Sequence, residues 1–119
     1  EKYNVYGNMV KLEHYKEGVL HGELRQWYDN GKIFVEGQYE EGMFQGRWVI
    51  YYESGSIGST AVYEKGRGVQ HGYSPDGSLI TEIQYVDNVK DGEEKRYGRD
   101  GSVTEILIWE EGEFVKKIK

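Results

Sequence analysis

Apolar and polar residues alternate along this chain in short runs, and glycine cuts the runs at regular intervals. The glycines at 7, 31, 55, 77 and 101 are 24, 24, 22 and 24 residues apart. Two residues after each stands an apolar side chain: Met9, Ile33, Ile57, Leu79 and Val103. Eight residues after each stands an aromatic: Tyr15, Tyr39, Tyr63, Tyr85 and Trp109. Strand side chains alternate faces, so offsets two, four, six and eight share one side, which is the expected core face. Four residues before each opening glycine stands another aromatic, Tyr3, Trp27, Tyr51, Tyr73 or Tyr97, on the expected second strand.

Turn chemistry divides each unit in two. Three residues after the first-strand aromatic comes Gly18, Gly42, Gly66, Asn88 or Gly112, residue types that accept the positive φ of a tight hairpin reversal. Between units the chain reads Asp29-Asn30-Gly31, Glu53-Ser54-Gly55, Pro75-Asp76-Gly77 and Arg99-Asp100-Gly101, and Asn-Gly and Asp-Gly are strong hairpin signals. The pattern predicts an all-β protein: one repeat domain over residues 1–119, with a half-unit at 1–6 and units starting at 7, 31, 55, 77 and 101. Nine or ten antiparallel strands would form an elongated, twisted meander without helices. Because the chain opens inside a repeat, the expectation is an array that starts with a half-unit or continues upstream.

The third unit is two residues short. The economical alignment removes them from its inner turn and leaves Gly66-Arg67-Gly68 before Val69. Gly72, Ser74 and Pro75 supply few packing atoms, so the ladder is expected to be weakest here, with a notch, kink or bulge. The lysines of the final segment, Glu113 to Lys119, suit an exposed edge strand.

Composition narrows the function classes. The net charge of −6 disfavours nucleic acid and anionic membranes, which bind through Lys and Arg, and suits a basic protein partner. No apolar run is long enough to span a bilayer as a helix, cysteine is absent, and a cytoplasmic location is favoured, with a removed leader as the alternative. His14, His21 and His71 show no metal-ligand spacing, so no metal or cofactor is expected. Glu40-Glu41, Glu110-Glu111 and the cluster from Asp91 to Glu94 read as solvated turn charge rather than catalytic carboxylates. His21 and His71 occupy a repeat-like His-Gly position beside turns. Gly66-Arg67-Gly68 is no phosphate loop, because no helix follows it.

The units carry a recognisable motif: Gly31-Lys32-Ile33, Glu36-Gly37-Gln38-Tyr39, Gly42, Gly46-Arg47-Trp48, and Tyr51 to Gly55. This resembles the MORN-repeat variants, most nearly bacterial proteins of the YwqK type, which are associated with toxin-antitoxin systems. The resemblance covers the whole chain. It is best in the second unit and poorest in the third, where Gln70 replaces the second-strand tryptophan, and in the fifth. It implies a hairpin-repeat fold and a non-enzymatic protein-binding role: an antitoxin or immunity protein that neutralises a cognate toxin, or alternatively a scaffold or spacer module of a larger protein.

The aromatic columns admit packing and partner contact alike, since units that cannot bury a face alone bury a shared one, while exposed Trp and Tyr anchor interfaces. Trp27, Trp48, Tyr51, Tyr52 and Tyr97 are the candidate partner-binding residues. Trp48, Tyr51 and Tyr52, on one second strand, are the expected hot spot, and Gly66 to Gly77 the second place.

Overall fold

The computed structural model describes residues 2, 3 and 9–119, with the backbone alone at positions 3 and 9. Gly7 and most of the opening half-unit lie outside the described residues, so the aromatic position at Tyr3 has no structural counterpart to compare. Fourteen strands and no helix are present among the described residues. They are β1 (Lys2–Tyr3), β2 (Met9–Leu12), β3 (Tyr15–Lys16), β4 (Val19–Leu20), β5 (Gly22–Trp27), β6 (Ile33–Glu40) and β7 (Met43–Phe44). Then follow β8 (Gly46–Tyr51), β9 (Ile57–Glu64), β10 (Arg67–Tyr73), β11 (Leu79–Val86), β12 (Val89–Tyr97), β13 (Val103–Glu110) and β14 (Glu113–Lys117). Twelve form one antiparallel sheet in chain order, with β7 beside β6, while β3 and β4 pair separately. The sheet is a meander of hairpins, as the repeat predicts. Its 46 × 34 × 21 Å extents exceed the thickness of one flat layer, about 10 Å, so the sheet curves.

The two edges of the sheet carry different turns. At one edge, each inner turn places two consecutive residues at positive φ: Glu17-Gly18, Glu41-Gly42, Lys65-Gly66, Asp87-Asn88 and Glu111-Gly112. This two-residue reversal matches the right-handed twist of the flanking strands, which offsets the strain of a non-glycine residue at the first position. At the other edge only the glycine of Asn30-Gly31 and its equivalents has positive φ. There Gly31 N donates to Tyr28 O at 2.9 Å and Tyr28 N to Lys32 O at 2.8 Å, and the same pair of bonds recurs around Gly55, Gly77 and Gly101. These are three-residue loops closed by a glycine bulge. The residue before the glycine steadies each loop: Asn30, Asp76 and Asp100 accept from the amides of Lys32, Ser78 and Ser102 at 2.9 to 3.0 Å, and Ser54 Oγ accepts from that of Ser56 at 3.4 Å.

More strands are found than the nine or ten expected because β1 is added at the start and the first two hairpins are interrupted between β2 and β3, β4 and β5, and β7 and β8; three hairpins carry a two-residue bulge just past the inner turn. In the second unit Tyr39 pairs with Phe44 while Glu36 pairs with Val49, which leaves Gln45 and Gly46 unmatched. His21-Gly22 and Asp91-Gly92 are the equivalents, and Gly22, Gly46 and Gly92 all adopt positive φ. The bulge residues serve the next hairpin: His21 Nδ1 accepts from Glu41 N at 3.1 Å and Gln45 Oε1 from Lys65 N at 2.8 Å.

The third unit corrects two expectations. Its strands β9 and β10 pair without interruption from Arg67↔Glu64 to Gly72↔Ser59, so the shortest unit has the most regular ladder. The missing residues are those of the bulge, not of the turn, because Gly68 faces Tyr63 as Phe44 faces Tyr39. His71-Gly72 is accordingly no counterpart of His21-Gly22; His71 lies mid-strand, opposite Thr60 and Glu82.

The short third tip lets its neighbours meet across it. Asn88 donates from Nδ2 to Gly42 O at 2.9 Å, and its Oδ1 accepts from Phe44 N at 2.8 Å. Its own amide donates to Gly66 O at 3.0 Å. One side chain thus ties the fourth hairpin to the second. Asn88→Gly keeps a residue that tolerates positive φ but removes both side-chain bonds and leaves two part-buried backbone groups unpartnered. The expected loss is about 2 kcal/mol of unfolding free energy in urea titrations; a loss within experimental error would remove the clamp from the account.

Candidate functional site

Strand register sorts the side chains into two faces. Leu24, Val35, Ala61, Tyr63 and Ile83 are buried on one face, together with Ser59 and Glu94, while Val49, opposite Glu36 and Thr60, is buried on the other. Offsets four, six and eight therefore line the core, as expected. Offset two does not always join them: Ile57 is 40% exposed and borders a cleft with Thr60 and Tyr73, because the glycine bulge of the outer loop disturbs the alternation just there.

Over the second and third units the core face is aromatic. The Trp48 ring lies 5.2 Å from Tyr39, 4.8 Å from Phe44 and 6.4 Å from Tyr63, and Tyr63 lies 5.9 Å from Tyr85, all between ring centroids. Three of these four contacts are edge-to-face, each worth about 0.5–1.5 kcal/mol beyond the area buried. Position 37 must be glycine, since a Cβ there would enter the Trp48 indole. Gln38 O accepts from the indole Nε1 at 3.1 Å. Phe44, which the sequence patterns did not single out, joins the group because it stands opposite Tyr39 ahead of the bulge.

Beside these rings runs a cleft of about 330 Å³ lined by Phe44, Trp48, Ser59, Gln70, Tyr85 and Asn88 among others. Gln70, which takes the tryptophan position of the third unit, donates to Ser59 Oγ at 2.9 Å and accepts from the Tyr85 hydroxyl at 3.2 Å. Burial pushes the Tyr63 and Tyr85 hydroxyls up, helped by Tyr85 in the first case and Glu94 in the second. Both therefore remain protonated at neutral pH.

In the fourth unit the same column holds a charge. Glu94, 3% exposed, is bound by Lys90 Nζ at 3.0 Å, Arg96 Nε at 3.1 Å and the Trp109 indole at 3.0 Å. Lys90 also lies over the Trp109 ring, 4.4 Å from its centroid. The reading of Asp91 to Glu94 as solvated turn charge is therefore corrected for Glu94. Its place three residues before Tyr97 repeats that of Trp48 before Tyr51, and the column Leu24, Trp48, Gln70, Glu94 was the sequence signal that it points inward. Burial pushes its carboxyl up, but the bonds and charges of Lys90 and Arg96 outweigh this and leave it below its ordinary value.

The five candidate residues are all part-buried, and the structure does not gather them into one patch. Trp48 belongs to the aromatic core face. The Tyr97 hydroxyl reaches Glu82 Oε2 at 3.5 Å on the opposite face, as Tyr73 reaches Thr60 Oγ1 at 3.4 Å. Trp27 and Tyr51 hold the equivalent positions in their hairpins, opposite Ile33 and Ile57. Tyr52 locks neighbouring units together: its hydroxyl donates to Tyr73 O, as that of Tyr28 does to Tyr51 O. Among the described residues no group of three or more His, Asp or Glu side chains is placed to hold a metal ion.

A depressed carboxyl pKa stabilises the fold above the ordinary value of 4.5, and this contribution disappears as pH falls through the lowered folded value. Glu94→Gln is expected to cost about 1–3 kcal/mol at neutral pH and to flatten the acid limb of unfolding free energy against pH. Parallel acid limbs for the two proteins would show that Glu94 is not the group responsible.

Comparison with known proteins adds one match. No curated protein matches the chain. The profile of the MORN repeat variant matches residues 20–41, which run from the strand after one inner turn, through β5, the outer loop and β6, into the next inner turn. Over that hairpin, one tile of the array, the chain is similar to the MORN repeat variant.

Proposed function

We propose that this chain is a non-enzymatic repeat module that binds another protein, and more narrowly an antitoxin or immunity protein that occludes a cognate toxin. The observation that carries the binding reading is a rigid sheet holding part-exposed Trp and Tyr rings on both faces: the Trp48 group with its cleft, and the row Trp27, Tyr51, Tyr73 and Tyr97 near the outer loops. Large rings already fixed by packing lose little conformational freedom on binding, which makes them effective interface anchors. The net charge of −6 favours a basic partner by steering its approach. The narrower reading rests on the likeness of the repeat motif to YwqK-type proteins.

Co-expression with the product of the adjacent reading frame tests the proposal. A stable complex together with rescue from toxicity is the expected result. Trp27→Ala and Tyr97→Ala should weaken the complex while lowering the melting temperature far less than Trp48→Ala, which also removes core contacts. Absence of both complex and rescue overturns the antitoxin reading.

A further inference from the structure

A tyrosine lock joins the outer loops of successive units, and it is broken between the third and the fourth. The hydroxyl of Tyr28, which opens the loop at Gly31, donates to Tyr51 O, and that of Tyr52, which opens the loop at Gly55, donates to Tyr73 O. Each ring packs on the residue three after its loop glycine: Tyr28 lies 4.7 Å from Phe34 between ring centroids, and a Cβ at position 58 would come within 3.3 Å of the Tyr52 ring. In the third unit the same place falls to Ser74. Its hydroxyl turns back into its own loop, to Asp76 Oδ1 and, at 3.4 Å, to Ser78 O. Among the described residues no side-chain donor reaches Tyr97 O, the next carbonyl of the series.

A hollow stands where the third ring would lie. Ser74, Ser78, Leu79, Ile80, Tyr97 and Arg99 help to line a space of about 440 Å³ between the loops at Gly77 and Gly101, within the range of about 300–1,000 Å³ for sites that hold a small ligand. Ile80, which takes the place of Phe34 and Gly58, is 38% exposed, with no ring to cover it. Arg99 forms no ion pair among the described residues, so its guanidinium is free to lie over an aromatic face.

We propose that this hollow takes the side chain of a tyrosine from another protein, seated as Tyr28 and Tyr52 are seated, with its ring on Ile80 and its hydroxyl donating to Tyr97 O. Three successive pairs of loops offer the seat, and the chain's own tyrosines fill two. The floor is aliphatic and suits a ring, while the far end offers a carbonyl acceptor and suits a hydroxyl. As a contact of the partner, the seat rests on the protein-binding reading above; as a pocket for a phenol, it can be probed without any partner.

Titration of the full chain with p-cresol, the tyrosine side chain as a free molecule, and with toluene, the same ring without the hydroxyl, is followed by NMR. Binding at about millimolar concentration that moves the signals of Ile80 and Arg99 is expected, with cresol favoured about fivefold. Ser74→Tyr should fill the seat from within, abolishing cresol binding and raising the melting temperature by about 4 °C. Ile80→Ala, which removes the floor and leaves the loops intact, should weaken cresol at least about threefold. No shift at Ile80 and Arg99, equal affinity for toluene, or a folded Ser74→Tyr chain that still binds cresol overturns the seat. A folded Ser74→Tyr chain that no longer binds cresol but keeps its complex with the toxin overturns the partner's tyrosine and leaves the antitoxin reading standing. Cresol binding as described, in a chain that forms no complex with the adjacent gene product, sinks the antitoxin reading and supports the seat.

Discussion

Along one edge of the sheet, every described hairpin tip from the second onward is hydrogen-bonded to the tip before it. The amides of Gly42, Gly66, Asn88 and Gly112 donate to the carbonyls of Leu20, Phe44, Gly66 and Lys90 at 2.8 to 3.0 Å. Ordinary strand pairing would leave these tips free to splay. The links draw the edge together, and residues just past each turn pack on the next one, Val19 against Gly42 and Val89 against Gly112. A single sheet has no second layer to cover it, so its own curvature must bury its side chains. The tip-to-tip bonds supply that constraint, and the core face depends on it.

What the curved face holds changes along the array. In the middle it is aromatic, with Trp48 seated on Gly37. Toward the C-terminal end it becomes polar and ionic, through Gln70 with Ser59 and then Glu94 with Lys90 and Arg96. The backbone of each tile is nearly the same, and one variable position decides whether the tile contributes dispersion, hydrogen bonding or a buried charge. Removing one partner of such a charge is costly because the other stays desolvated. The same variable positions give the surface its individuality, which is how a repeat scaffold can present a specific face to a specific partner.

Much of this was legible in the sequence. The period of about 24 residues, the positions of Gly42 and Gly55, and the aromatic columns at Tyr39, Tyr63 and Tyr85 prescribed hairpins, turns and an inward face, because each depends on residues close in the chain. The candidate surface was less legible. Trp48 and Tyr51 stand three apart on one strand, and strand alternation already opposes their faces. Glu94 looked like turn charge until its column was followed through the repeats.

The sequence by itself determined the tile: which residues reverse the chain, which alternate inward, and how many copies follow one another. Tertiary structure alone decided how the tiles lean on one another. The two residues missing from the third unit looked like damage to the ladder, yet their absence removes a bulge, leaves β9 and β10 in unbroken register and lets Asn88 reach Gly42 and Phe44. That contact joins residues 46 and 44 positions apart. No local pattern encodes it, because it exists only once the sheet has curved enough to bring the second and fourth tips within one side chain of each other.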